Sequence, residues 1–81
     1  MTSQVRRSCA SVAANIAEGS GRDSDAEFAR SLQIARGSAV ELENHLLLAH
    51  DLGYLDDPAM SRLMPAVIEV KKMLCGLLGR L

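Results

Sequence analysis

The glycine-rich stretch NIAEGSGR, at residues 15–22, has the residue types of a phosphate-binding loop. Such a loop needs its glycines between a strand and the following helix, so that backbone N–H groups and the helix N-terminus face the anion. The residues before Gly19 have a helical pattern, and nothing upstream has that of a strand. We therefore interpret the stretch as a helix end, where Gly19 takes the left-handed conformation, and a turn that contains Gly21.

Two polar residues in this stretch, Asn15 and Glu18, are not required by a helix end. They lie three apart on one flank of the predicted helix. There they can bond to each other or to the exposed amides of the turn. We predict a structural role for both.

A metal site is the second kind of chemistry that the residue types allow. Glu41 and His45 lie four apart on one face of a predicted helix, and His50 and Asp51 follow. Two ligands on one helix are fewer than the four of a structural zinc site or the three of a catalytic one. The pattern favours a solvated polar face, and we predict no metal and no cofactor.

Nucleophilic catalysis would need a serine or cysteine beside a base. No histidine occurs in residues 1–44, and no glycine elbow surrounds a candidate nucleophile. The sequence does not indicate an enzyme. The nucleophiles considered are Ser8, Ser11, Ser38, Cys9 and Cys75.

The two cysteines match no metal-binding or redox spacing, and no signal peptide points to an oxidising compartment. We interpret Cys9 and Cys75 as buried, reduced thiols in a cytoplasmic protein. No apolar run reaches the roughly 20 residues that span a bilayer, so we predict no membrane partner.

Arginine is the remaining residue type for ligand binding, since its guanidinium group contacts carboxylates and phosphates in a bidentate manner. Residues 1–40 hold five arginines, no lysine and four acidic residues. If the first two helices fold back at the glycine-rich turn, position i lies level with about 42 − i, which brings Arg6 and Arg7 beside Arg36. Arg22 then lies at the tip.

The sequence allows two alternative roles for this arginine cluster. It can bind RNA phosphates, or it can form ion pairs between subunits with acids such as Glu18 or Glu41. The formal net charge of the chain is −1, whereas a dedicated nucleic-acid domain normally carries a strongly basic patch.

The elements that position these residues are predicted to be helices. Phe28 and Tyr54 are the only aromatic residues, so aliphatic residues must form the core, which favours helices over strands. The apolar spacing predicts an all-α, antiparallel up-down-up bundle in a single domain, residues 1–81. We predict helices at about residues 3–18, 24–52 and 58–80.

The second helix has the most regular pattern. Ser24 with Glu27 forms a capping box at its start, and Gly53 ends it. Gly37, in its middle, lowers helix stability and predicts that another helix approaches closely there. The seam of this helix has a 4-3-4-3-4-3 spacing and consists of Phe28, Leu32, Ala35, Ala39, Leu42, Leu46 and Ala49.

The third helix is apolar over more of its surface than a single neighbour would cover. A chain of 81 residues also has a thin core that usually needs a partner, a metal or disulfides. We therefore predict self-association. The seam of the third helix is Met60, Leu63, Val67, Val70, Leu74, Leu77 and Leu81, and the first helix has a narrow stripe of Val5, Cys9, Val12 and Ile16.

Residues 2–55 contain a series of motifs close to SQ-x-RR, NIAEG-x-GR, EF, IA-x-GS, EL and LGYL. On these motifs the chain resembles the four-helix-bundle proteins of the 23S rRNA intervening-sequence family, whose biochemical role is mostly unassigned. Transferred by motif, the resemblance implies functional positions at Arg6, Arg7, Asn15, Glu18, Arg22 and Arg36.

Proteins of this family are similar to the accessory protein of diversity-generating retroelements, a pentameric bundle that binds RNA and a reverse transcriptase. The similarity implies a homo-oligomer, such as a pentamer, with RNA or a reverse-transcriptase-like protein as partner. Our hypothesis is a non-enzymatic oligomeric scaffold that binds RNA or an RNA-associated protein through an arginine belt. The alternative is a structural, partner-binding oligomer with no nucleic-acid role.

Two departures from the family pattern bear on assembly. Ala13 stands where the family usually has proline, which should leave the first helix straighter. The family also has an amphipathic helix before the SQ-x-RR motif, whereas this sequence starts at that motif. The excess apolar surface of the third helix fits a missing helix, in which case assembly would differ from the family's ring.

Overall fold

The computed structural model describes residues 2–21 and 24–81, apart from the side chains of Thr2 and Ser20. These residues form no strand and three helices, each within two residues of its predicted bounds. The predicted all-α fold is confirmed. Arg22, predicted at the tip of the first turn, lies outside the described residues. The helices are α1 (Thr2–Ser20), α2 (Asp25–Asp51) and α3 (Asp57–Gly79).

Short polar side chains begin the second and third helices. The Oγ atom of Ser24 accepts a hydrogen bond of 3.2 Å from the backbone N–H of Glu27. Asp56 accepts one of 2.9 Å from the N–H of Ala59 in the same way. Each bond satisfies an N–H group that has no partner within its helix, which is typically worth about 1 kcal/mol.

A glycine ends α2 and reverses the chain. Gly53 has a φ of 81°, in the left-handed region that costs glycine little. The N–H groups of Gly53 and Tyr54 donate to the carbonyls of His50 and Ala49, which closes the last turn of α2. The reversal lets α3 begin at once and pack back along α2.

The second helix lies between the other two. α1 and α3 each pack along α2, and within the described part of the chain they do not pack against each other. The three helices therefore form the predicted up-down-up bundle, with α2 in the middle and a gap between α1 and α3.

The core follows the predicted seam of α2. Phe28 is half-buried and packs against the core, and the other six seam residues are buried. Two clusters divide this core along the length of α2. The first contains Leu32, Ala35, Ala39 and Leu74, and the second contains Leu42, Leu46 and Val67.

The third helix buries only part of its predicted seam. Val67 and Leu74 are its buried residues, whereas Leu63, Leu77 and Leu81 are exposed. The single neighbour α2 therefore covers only one side of α3, as the wide apolar surface of that helix predicts.

The pairing of α1 with α2 differs from the predicted one. Ser11 Oγ lies 2.7 Å from Ser38 Oγ, so position 11 is level with position 38 rather than with one near 31. The difference of seven residues is about two helical turns. The prediction was wrong, and the later turn accounts for part of the shift, because α1 continues through Gly19 to Ser20 and α2 begins only at Asp25.

Gly19 has a role other than the predicted one, and the close helix approach predicted at Gly37 does not occur within the described chain. Gly19 lies inside α1 without a positive φ, so it is not a left-handed helix stop. It is buried, and a Cβ atom there would lie 2.9 Å from Phe28 Cδ1 and 3.0 Å from Ser31 Cβ. At Gly37 an added Cβ would have no atom within 4 Å. The close helix contact within the chain is therefore at Gly19, and no other helix of the same chain approaches Gly37.

Candidate interaction surfaces

A polar groove lies between the first two helices, and we call it the Arg7 groove. Its volume is about 400 Å³. Residues three and four apart on each helix line its two walls, as the helical repeat requires. All of these side chains are polar, so the groove suits charged or hydrogen-bonding groups. They are Gln4, Arg7, Ser8 and Ser11 of α1 and Ser38, Glu41 and His45 of α2.

Hydrogen bonds join the two walls of the Arg7 groove. Ser8 Oγ lies 3.3 Å from His45 Nδ1, and the bond between Ser11 and Ser38 follows one turn further along. Asn15 Nδ2 donates to the carbonyl of Ser11 at 2.8 Å. Asn15 therefore bonds back to its own helix.

The pair of Ser8 and His45 is the serine–histidine arrangement that sequence reasoning missed, because 37 residues separate the two in the chain. Ser8 is 4% exposed, although it lines the Arg7 groove. No buried side-chain nitrogen or oxygen lacks a partner among the described residues. The pair forms a satisfied hydrogen bond that joins α1 to α2.

A second polar hollow, the Arg30 hollow, lies nearer the turn on the same side of the hairpin. Its volume is about 330 Å³. Together the two surfaces hold two arginines and three glutamates, so this side of the hairpin has mixed charge rather than a basic patch. Mixed charge suits a protein partner better than a phosphate backbone. The hollow is lined by Asn15, Glu18, Glu27, Arg30, Ser31 and Ile34.

The predicted arginine belt does not form within the chain. Arg7 lines its groove close to His45, whereas Arg36 lies two residues before Ser38 and is therefore level with about position 13. At 1.5 Å per residue, Arg36 is roughly 9 Å further along the hairpin than Arg7. The prediction that these residues share one height is wrong for the same reason as the pairing of the helices.

Arg36 also lies on another flank of α2. Glu43, seven residues later, forms an ion pair of 3.0 Å with Lys71, and His50, seven later again, lies 2.6 Å from Asp57. Both partners belong to α3, and residues seven apart share a helix face. Arg36 is thus on the α3 side of α2, and Arg7 is on the opposite side.

Three exposed arginines have no acidic partner among the described residues. Arg6, Arg7 and Arg36 are exposed, and none forms an ion pair among residues 2–21 and 24–81. Glu41 lines the same groove as Arg7, yet the two form no ion pair either. These charges are available to a ligand or to another subunit.

An apolar groove runs between α1 and α3, with α2 as its floor. Its volume is about 210 Å³. Ile16, Leu63 and Leu77 are exposed on the same helix faces and extend the apolar surface. All residues that line the groove are apolar: Cys9, Val12, Ala39, Leu42, Ala66, Val67 and Val70.

Both cysteines are exposed and carry free thiols. The prediction that they are buried is wrong. Cys9 belongs to the apolar stripe of α1 as predicted, but that stripe faces the apolar groove, which nothing in this chain covers. Cys75 lies on α3, nine residues after Ala66, and a separation of nine residues turns it to the opposite side of the helix.

The described residues offer no metal site and no membrane span. Glu41 and His45 share a groove, but nowhere in the described ranges do three His, Cys, Asp or Glu side chains come together as metal ligands. None of the helices described has both the length and the apolar character needed to cross a bilayer.

Comparison with known proteins decides the family. A model of the 23S rRNA-intervening sequence protein family matches residues 1–76. The chain belongs to this family. The match includes most of α3, which the motifs of residues 2–55 did not reach. No match was found among curated proteins.

A crystal structure from the S23 ribosomal protein family is similar to this member of the 23S rRNA-intervening sequence family. It is that of a protein of unknown function from Bacteroides thetaiotaomicron, at a TM-score of 0.93 and 31% sequence identity. The similarity covers 96% of this chain and 72% of that one. Neither description names an enzymatic activity.

Several residues of the motifs that carry the family resemblance line the two polar surfaces between α1 and α2. Gly19, from the same motifs, allows Phe28 to approach α1. The motifs therefore describe the contact of α1 with α2 and the polar surface beside it. Those that line the Arg7 groove or the Arg30 hollow are Gln4, Arg7, Asn15, Glu18, Glu27, Ile34, Ser38 and Glu41.

Proposed function

We propose that this chain is a non-enzymatic helical scaffold that works as a homo-oligomer, in which another copy covers the apolar groove. The apolar groove between α1 and α3 is the single observation that carries the proposal. Its lining is entirely apolar, and the exposed leucines beside it add apolar surface whose exposure to water is unfavourable. A partner with an apolar face removes this surface from water.

The accessible surface of the chain supports the same proposal. It is 5366 Å² for a mass of 8.7 kDa, whereas a compact monomer of that mass exposes roughly 4,700 Å². The excess of about 600–700 Å² is close to the roughly 800 Å² that each partner contributes to a standard protein interface. Packing of one further helix against the chain would bury an area of about this size.

The two cysteines provide a test of groove coverage. We would compare the Cys75→Ser variant, which keeps only Cys9, with the Cys9→Ser variant, which keeps only Cys75. The rate of reaction with a thiol reagent should fall for Cys9 as the protein concentration rises and copies associate, because Cys9 lines the groove. The rate for Cys75 should not change.

Equal and concentration-independent rates for the two cysteines would contradict the proposal. Sedimentation of the same samples gives the oligomer mass, so that protection is compared with assembly directly. A reaction rate that falls for Cys75 alone would place the contact between copies on the other side of α3. That result would also contradict the proposal that another copy covers the apolar groove.

RNA binding is the second candidate function, and two observations favour it. The family takes its description from the intervening sequence of 23S rRNA, and Arg6 and Arg7 are exposed without an ion pair in the described part of the chain. Each subunit of an oligomer contributes these arginines, so that several weak contacts to the phosphates of one RNA act together. An RNA-associated protein, such as a reverse-transcriptase-like one, would meet the same charges.

Changing Arg6 and Arg7 together to glutamine tests this candidate. Retention of structured RNA should weaken at least tenfold at about 50 mM salt, because each lost phosphate contact lowers affinity and reduces its salt dependence. The matched control changes Arg62 and Lys72 to glutamine, which removes the same charge from α3. Equal loss in both variants, or no retention by the parent even at low salt, would exclude RNA binding through these arginines.

A further inference from the structure

We infer that two copies of this chain contact each other through the outer face of α2 in one copy and the outer face of α3 in the next, with the two helices running in the same direction. The inference rests on the proposed self-association and adds a second contact between copies to the one at the apolar groove. These surfaces differ from the apolar groove, because none of their residues lines it.

The two faces have the same spacing of residue types. On each helix a charged residue is followed after four residues by an exposed apolar one, after seven by a glycine and after eleven by a charge of opposite sign. Residues at this spacing form one stripe along a helix. All eight are exposed. The α2 stripe is Arg30, Ile34, Gly37 and Glu41, and the α3 stripe is Glu69, Met73, Gly76 and Arg80.

The order of charges selects the direction of the contact. With parallel helices in register, Arg30 lies beside the partner's Glu69, and Glu41 lies beside the partner's Arg80. With antiparallel helices, Arg30 would meet the partner's Arg80, and like charges repel. None of these charged residues forms an ion pair in the described part of the chain.

The glycines lie at the same height in the parallel arrangement. Neither Gly37 nor Gly76 has an atom within 4 Å of an added Cβ in its own chain, although glycine in a helix interior lowers stability. On α3 a shallow hollow of about 400 Å³ surrounds Gly76. Two facing glycines let helix axes approach closer than the roughly 8–10 Å of ordinary packing.

Apolar side chains flank the glycines and supply buried area. Ile34 is 46% exposed and Met73 is 61% exposed, and the parallel register brings them together. The apolar pair and the glycine pair would form the centre of the contact, with the two ion pairs at its ends, which is the usual arrangement of apolar centre and polar rim.

The symmetry of this contact follows from the use of two different faces. Each copy offers its α2 stripe to one neighbour and its α3 stripe to another, so the contact is head-to-tail. Such contacts close into rings when the rotation between copies permits, and otherwise form open chains.

Replacing Gly37 with leucine tests the inference. In the isolated chain the position is open, so the variant should keep its helix content and should not unfold at a lower temperature than the parent at low protein concentration. Self-association should weaken at least tenfold, because the leucine side chain separates the two helices. The control is Ala10→Leu, which adds an exposed leucine to α1 away from both stripes and from the apolar groove, and it should leave association within about twofold of the parent.

Charge reversal gives a second, independent readout. Glu41→Arg alone should weaken association, and the combination of Glu41→Arg with Arg80→Glu should recover it, because the pair is restored with opposite orientation. A parent chain that stays monomeric contradicts both this inference and the proposed function. A parent that assembles while Gly37→Leu assembles equally well, or a double reversal that recovers nothing, overturns this contact alone.

Discussion

Replacing Leu74 with alanine should lower the free energy of unfolding by about 2–5 kcal/mol, the largest single effect that we expect. Leu74 is 1% exposed and joins α3 to the cluster of Leu32, Ala35 and Ala39 on α2. The substitution removes three buried carbon atoms and leaves a cavity that the surrounding helices cannot fill completely. Chemical denaturation followed by circular dichroism measures the loss, at a concentration low enough to keep association out of the signal.

The matched control for this variant is Ile68→Ala on the same helix. Ile68 is 40% exposed and belongs to neither core cluster, so its loss should cost well under half as much. Equal losses at the two positions would mean that Leu74 does not join α3 to α2 as described.

Replacing Gly19 with alanine should cost about 1–3 kcal/mol, although alanine normally favours a helix. The added methyl group would lie 2.9 Å from the ring of Phe28 and 3.0 Å from Ser31 Cβ. The ring could turn away, but Ser31 Cβ moves only with the backbone of α2, so the two helices must separate. Thermal unfolding of the variant gives the cost.

Gly37→Ala is the matched control. It makes the same change inside a helix, at a position where the added Cβ has no neighbouring atom within 4 Å. It should leave the isolated chain unchanged or stabilise it by up to about 1 kcal/mol. A neutral Gly19→Ala variant would show that α1 and α2 do not approach closely at Gly19.

The seam of α2 was predictable from sequence because burial there depends only on spacing along one helix. Leu32, Ala35 and Ala39 recur at four and three residues, and any neighbouring helix would bury them. The helix ends at Ser24 and Gly53 were predictable for a similar reason, since capping is decided within one turn.

The pairing of α1 with α2 was not predictable, because it depends on where the chain turns. Gly19 was predicted to end α1 because glycine adopts the left-handed conformation at little cost. In the structure it lies inside α1, where the absence of a side chain lets Phe28 approach the helix. The continuation of α1 through Gly19 accounts for part of the shift of about two turns in the pairing.

The candidate surfaces were predictable in part. The excess apolar surface of α3 indicated a missing partner, and the exposed leucines of α3 agree with it. The bond of Ser8 to His45 depends on the pairing of helices, and so could not be found from spacing along one helix. The exposure of Cys9 was missed because an apolar stripe shows which residues share a face but not whether a neighbour covers that face.

The mass of the assembled protein tests the central claim most directly. Sedimentation measured across micromolar concentrations should give a mass that is a multiple of 8.7 kDa and that rises with concentration. The unfolding midpoint of the parent should rise over the same range, because association stabilises the folded chain. A single species of 8.7 kDa at every concentration, with a cooperative transition whose midpoint does not move, would contradict the account.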